Sequence, residues 1–432
     1  MVAAFEVLVA SALPAPAQTA FEFTTNMGPL FQGVLARPAN IDNTVLYAQS
    51  AVQVGDIESA ISTNEQLLFY NPKLSQTRYI LGVLYYRLGS WTTARGYLHT
   101  ALQMADITPQ LRQQVEDLLD LVDKKLQPDQ FSGFAQTGLR YQSNATQGPG
   151  PQTALAASGQ PFNNRFFAKP DFNWFGTFGL NYVHDFHLPS GTTFEGSVLG
   201  YDAQQFTQHQ VDIGQLEIRA GPRFALSPGD VNGVTVKPYL VTTGALLADS
   251  AYMGSLGGGL SLHAMAGNIS VNPYAEIVRQ SFRNSTLYPL ASGMSGTLQT
   301  YGVQASGPIW SGLSWQARGA YAHASDQFAF DSYESFAGDV WLPWRFSLWG
   351  GQPWTLVPTF GITYWRYGTP DPNIAPLTTT QTTEWRTGLG LEIPIWKKLT
   401  LGTLVLYRDD VSNVAAFSLR DLSVTAGPTI RF

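Results

Sequence analysis

The chain has 432 residues, enough for two domains of which one is large. Charged residues make up only 13% and aromatics 13%, with 41 Gly and 11 Trp, a balance that argues against an ordinary cytosolic enzyme. The net charge of −6 gives no basic footprint for nucleic acid, the absence of cysteine removes disulfides and thiolate chemistry, and no apolar run is long enough for a membrane helix.

Residues 1–20 contain a short apolar stretch closed by Ala15-Pro16-Ala17, of the kind signal peptidase cuts. No Lys or Arg precedes Val7, and Glu6 lies inside the stretch, so the segment reads as a signal peptide missing its front. Export is the expectation.

Residues 40–127 are patterned as helices and repeat at a period of 34, the period of tetratricopeptide repeats: Gly55 recurs as Gly89 and Ala60 as Ala94. The second copy is fuller, with Gly82, Tyr85, Gly89, Ala94 and Ala101 where that repeat places them, and the first keeps Gly55, Ala60 and Pro72. Small residues at Gly82, Ala94 and Ala101 let paired helices approach closely, while Gly55 and Gly89 mark turns. A capping helix is predicted from Pro109 to Leu126, with Thr108 as its N-cap. Hairpins of this type hold polypeptides in a concave groove, which implies a protein partner.

From residue 131 to 432 the pattern changes to alternation over segments of roughly ten residues, the script of an outer-membrane barrel. In the last strand Leu422, Val424, Ala426, Pro428, Ile430 and Phe432 face one way, and Asp421, Ser423, Thr425, Gly427, Thr429 and Arg431 the other. About fourteen strands are predicted, starting near 131, 172, 192, 211, 234, 256, 269, 297, 312, 335, 354, 383, 398 and 418. Connections alternate between short turns, assigned to the periplasm, and long loops, assigned to the exterior, which puts the helical domain in the periplasm. Tryptophans 310, 315, 349, 354 and 396 border short turns, as an aromatic girdle requires. The ending through Gly427, Ile430 and Phe432 is similar to the C-terminal signal read by the barrel assembly machinery. The fold class is therefore multidomain: a short all-α tetratricopeptide-repeat segment followed by a transmembrane antiparallel β-barrel.

This order of parts, together with Gly138-Leu-Arg-Tyr141-Gln-Ser143-Asn144 in the first strand, resembles the surface lipoprotein assembly modulator (Slam) family. The resemblance implies an outer-membrane translocon whose helices capture a secreted or lipidated client protein that the barrel delivers to the cell surface. The alternative is an exopolysaccharide export pore or a diffusion porin. Other expected partners are the barrel assembly machinery and outer-membrane lipid with lipopolysaccharide.

By alternation, the lumen receives basic residues Arg140, Arg219, Arg223, Lys237, Arg318, Arg345, Arg386 and Arg431, and acidic residues Glu195, Glu217, Glu276, Asp339, Glu384, Glu392 and Asp421. The near balance argues against a strongly selective pore, and pairs that brace the wall are the simpler expectation. His184 and His187 are three apart at a strand end, so they point to opposite faces and are poor metal ligands. Ser295 sits in a Gly-rich loop with no paired His in view. Asn144 and Asn284 read as polar loop positions. No catalytic residue, cofactor or metal is expected, and no enzymatic activity.

Overall fold

The computed structural model describes residues 56–150, 167–188, 190–226, 233–348 and 352–432, together with 32, 46, 47 and 51. The expected signal peptide at 1–20, Gly55 and Trp349 lie outside the described residues, as does most of the expected first helix. The chain divides into two compact units, Met1–Gln130 and Phe131–Phe432.

In the first unit the described helices are α1 (Ile57–Tyr70), α2 (Ser75–Arg87), α3 (Trp91–Leu102) and α4 (Pro109–Leu126). Asp56 caps α1, its carboxylate accepting from the Ser59 amide at 3.0 Å, and hydrogen bonding from the Ser59 side chain, then from its amide, holds the carboxyl below its ordinary range. Thr108 caps α4 through Leu111, with Pro109 at the first helical position. None of these helices is long and apolar enough to cross a membrane.

The small residues occupy the tight places. Ala60, Ala94 and Ala101 are fully buried, and Gly89 takes a φ of 75° in the turn between α2 and α3. Pro72 ends α1 after the cap at Asn71. A Cβ on Gly82 would stand 2.6 Å from Cδ2 of the buried Leu98, so α2 packs against α3 without room for a side chain. Replacing Gly82 by Val should destabilise the helical unit by about 1–3 kcal/mol through overpacking. Thermal melting followed by far-UV circular dichroism at the helical band checks this, and an unchanged midpoint contradicts it. Tyr85 stacks on Tyr97 with ring centroids 5.5 Å apart, and both hydroxyls donate to Glu65 Oε1. The Glu65 bond pushes the Tyr85 hydroxyl up to about 12.

The second unit is built from β1 (Asp129–Gln142), β2 (Asp171–Asp185), β3 (Thr193–Gln205), β4 (Ile213–Ala225), β5 (Thr235–Leu247), β6 (Ser250–Ala266), β7 (Ile269–Phe282) and β8 (Gly296–Trp310). It continues through β9 (Leu313–Asp326), β10 (Tyr333–Trp341), β11 (Trp344–Phe346), β12 (Trp354–Tyr367), β13 (Gln381–Trp396), β14 (Leu399–Ser412) and β15 (Leu419–Arg431). All pairings are antiparallel, β1 closes on β15, and β10 and β11 share the neighbours β9 and β12 across a break at Leu342-Pro343. Counting β10 and β11 as one stave, the fifteen strands make a closed barrel of fourteen.

Alternation sends apolar side chains outward, where Leu240 and Leu256 are 69% and 66% exposed, with Phe178, Phe360, Trp385 and Val424 on the same outer face. A continuous exposed apolar wall around a closed sheet is stable only in lipid, so this is a transmembrane barrel of outer-membrane type. Trp310, Trp315, Trp354 and Trp396 lie beside the short turns. At the seam the Gly133 amide donates to the Phe432 carbonyl at 2.9 Å, and the Phe432 amide returns the bond at 3.0 Å.

Two boundaries differ from the sequence reading. Strand β6 begins at Ser250 rather than near 256, because Ala248 and Asp249 take φ of 48° and 58° in a two-residue hairpin turn without glycine. This short turn lies at the long-loop end, an exception to the alternation of connection lengths. Strand β14 runs to Ser412, longer than the roughly ten residues read for each strand, and so includes Asp409 and Asp410.

Candidate functional site

Among the described residues of the barrel unit, the lumen wall gathers most of the ion pairs. Its inward side chains follow from register. Gln304, Arg318, Asp339, Gly361, Arg386, Arg408 and Asp421 are successive cross-strand partners from β8 to β15, so one row of inward positions crosses seven staves.

Within this row Arg318 reaches Asp339 at 3.1 Å, and Arg386 reaches the other oxygen of Asp339 at 2.7 Å. Arg386 also contacts Glu384, Arg408 bonds Glu384 at 2.7 Å, and Arg408 bonds Asp410 at 2.6 Å. Gly361 permits this network. A Cβ there would lie 2.3 Å from Asp339 Oδ1 and 3.0 Å from Arg386 Nε, so the guanidinium crosses β12 through the space glycine leaves.

Nearer the short turns, Glu195 takes Arg223 and Lys237, the latter at 3.0 Å, while Arg431 pairs with Glu392 at 3.0 Å. On the wall between, Arg219 bridges Glu217 at 2.6 Å and Glu276 at 2.8 Å, and lies over the Tyr239 ring. Tyr239 donates to Glu276 and packs with Val241, Val278 and Leu298, an apolar patch on the inner face.

Exposure divides the lumen. Near the long loops Glu384 and Asp339 side chains are 4% and 6% exposed, whereas near the short turns Arg431 and Glu392 are 42% and 35% exposed. Water therefore reaches the Arg431–Glu392 pair and is largely excluded from Glu384 and Asp339, with Glu195 and Lys237, at 20% and 14%, between these extremes. The loops contribute to that closure. Gln147 of the β1–β2 loop accepts from Arg408, Tyr288 donates to the Gln210 carbonyl, and the Phe328 amide donates to Gly293. In the β9–β10 loop, burial pushes the Asp331 carboxyl above its ordinary range.

The expected lumenal residues thus come together mostly as pairs and triads. Asp421 instead accepts from Gln142, Ser143 and the Asn144 amide, which ties β15 to the end of β1. Arg345 has its register position on the inner face but stands exposed near the short turns. Arg408 and Asp410 were not among the expected lumenal residues. Their strand carries Leu404 and Leu406 on the inner face and Leu401 and Val405 on the outer, so hydrophobicity alone did not mark which side was lumen.

The remaining motifs have structural uses. His184 meets Phe186 edge to face, and His187 turns with a φ of 53° onto the Asp185 carbonyl. Among the described residues no group of three or more His, Asp or Glu is placed to hold a metal ion. Ser295 Oγ accepts from the Phe282 amide and closes a turn. Asn144, read from sequence as merely polar, is 2% exposed, and its amide bonds Gly148 and Arg420.

No protein-family model and no curated protein matches the chain. Among solved structures it is similar to OccK1 (OpdK) of Pseudomonas aeruginosa, at 7% identity and TM-score 0.35 over 70% of this chain and 98% of that one. A bacterial polysaccharide outer membrane secretin matches at 12% identity and TM-score 0.35, over 70% and 98% of the two chains. An anion-selective porin from Comamonas acidovorans matches at 9% identity and TM-score 0.34, over 70% and 99%.

Proposed function

We propose that the barrel is a passive pore that admits small hydrophilic solutes across the outer membrane. The observation that carries this reading is the charge-lined lumen wall near the short turns, where the Arg431–Glu392 pair keeps a third or more of its surface in solvent. A barrel filled as a solid core would bury that pair. On this reading the paired network of Arg318, Arg386 and Arg408 with Asp339, Glu384 and Asp410, with the loops above it, forms the narrow section. Charge there is balanced, so polarity and size govern passage more than sign. The barrel assembly machinery and outer-membrane lipid with lipopolysaccharide are partners this reading entails.

The translocon reading implied by the Slam resemblance draws its support from the helical hairpins, which suit a polypeptide client. The two readings separate on one pair of proteins. The full chain and a variant lacking residues 40–127, each reconstituted in planar bilayers and liposomes, should both give discrete conductance steps and sugar-driven swelling. Absence of conductance in the folded full chain defeats the pore reading. Loss of surface display of a neighbouring exported protein after the same deletion, in cells that retain a folded barrel, would move the function to the translocon.

A further inference from the structure

Two inward arginines meet no carboxylate among the described residues: Arg345, which stands exposed near the short turns, and Arg140, which lies within the lumen wall. Arg219, Arg223, Arg318, Arg386, Arg408 and Arg431 each meet a carboxylate within 4 Å, whereas Arg140 meets none among the described residues. Its guanidinium donates from Nη2 to the Tyr201 hydroxyl at 2.6 Å and sits 5.9 Å from the centre of that ring. Its Nε is buried without a protein acceptor.

Register explains the isolation. The cross-strand partner of Arg140 is Thr425, whose partner on β14 is Leu404, whose partner on β13 is Gly390. On the other side Tyr201 is opposite Thr177. The inner face at this level therefore offers hydroxyls, a leucine and a glycine, with the carboxylates of the ionic row two inward positions further along β14. A phenol is a neutral partner: it orients the guanidinium and leaves the charge whole.

We infer that Arg140 is an anion subsite in the lumen, held by Tyr201, for small solutes carrying a carboxylate or phosphate group. The inference rests on the pore reading. A fixed guanidinium without a counter-ion raises the local concentration of anions, and its planar array of N–H donors matches the oxygens of both groups. The overall charge balance of the lumen does not oppose this, because the other pairs neutralise themselves locally and Arg140 remains as the net charge on its level.

The test uses the full chain in planar bilayers under a tenfold salt gradient, with potassium chloride, acetate and phosphate in turn. The ratio of anion to cation permeability should fall by about threefold in Arg140→Gln and stay near the parent value in Arg140→Lys. The double variant Arg431→Gln with Glu392→Gln, which removes a self-neutralised pair, should leave the ratio unchanged. A stronger effect of Arg140→Gln in acetate than in phosphate assigns the subsite to carboxylates, and the reverse assigns it to phosphates. An Arg140→Gln pore with full conductance and an unchanged ratio in all three salts overturns the subsite while leaving the pore intact. Folded protein that conducts in no variant overturns both.

Discussion

Replacing Glu384 by Ala should cost the barrel about 3–5 kcal/mol, whereas Glu392→Ala should cost under about 1 kcal/mol. Both residues are inward carboxylates on β13 facing an arginine, so sequence ranks them alike. Burial separates them. Glu384 is 4% exposed and neutralises two guanidiniums, those of Arg386 and Arg408, which are themselves only 22% and 20% exposed. Removing its charge leaves two poorly solvated cations near each other, with Asp339 and Asp410 as the remaining counter-ions. Removing Glu392 leaves Arg431, which at 42% exposure is already hydrated. Urea unfolding of the detergent-solubilised protein, read from the heat-modifiable folded band, gives the two midpoints. Equal shifts would mean that the narrow section is as wet as the rest of the lumen, and would remove it as the place where passage is controlled.

Much of this architecture was legible because a barrel in lipid enforces a period of two with opposite chemistry on its faces. In β2, Phe172, Trp174 and Phe178 are exposed outward while Asp171, Asn173 and Thr177 are buried inward, as the alternation predicts. Legibility failed where the faces were chemically alike. Strand β14 places leucines on both sides, which hid Arg408 and Asp410, and the Ala248-Asp249 turn lacks the Gly or Asn that would have announced it. The pairing of charges was also beyond the sequence. Alternation says that Arg386 and Asp339 share the lumen, but only the register with Gly361 between them shows that one can reach the other. Likewise the isolation of Arg140 depends on which residues stand opposite it, not on its own strand.

Closure of the barrel depends on the same kind of unseen contact, and Gly427→Val should prevent it. Strand β1 pairs with β15 on both sides of a gap: Gln136 meets Thr429 and Leu139 meets Ala426, while Thr137 and Gly138 face Gly427 and Pro428 without register partners. Proline has no amide hydrogen to give, so the backbones there approach by packing rather than by hydrogen bonding. A Cβ on Gly427 would lie 1.9 Å from the Thr137 carbonyl oxygen and 2.7 Å from Gly138 Cα. Those are backbone atoms, and no rotamer change moves them away. A valine would have to push the closing strand off the opening one, costing about 3 kcal/mol or more by overpacking and taking with it the reciprocal bonds between Phe432 and Gly133. The folded band in outer-membrane preparations should fall to a small fraction of the parent. Gly402→Ala is the matched comparison, since Gly402 is the register partner of Gly427 on β14 and its Cβ would come no nearer than 3.6 Å to Gln136 Nε2. That variant should assemble normally. If Gly427→Val assembles as well as Gly402→Ala, the seam has slack, and β1 and β15 are free to part as a lateral opening instead of forming a fixed wall.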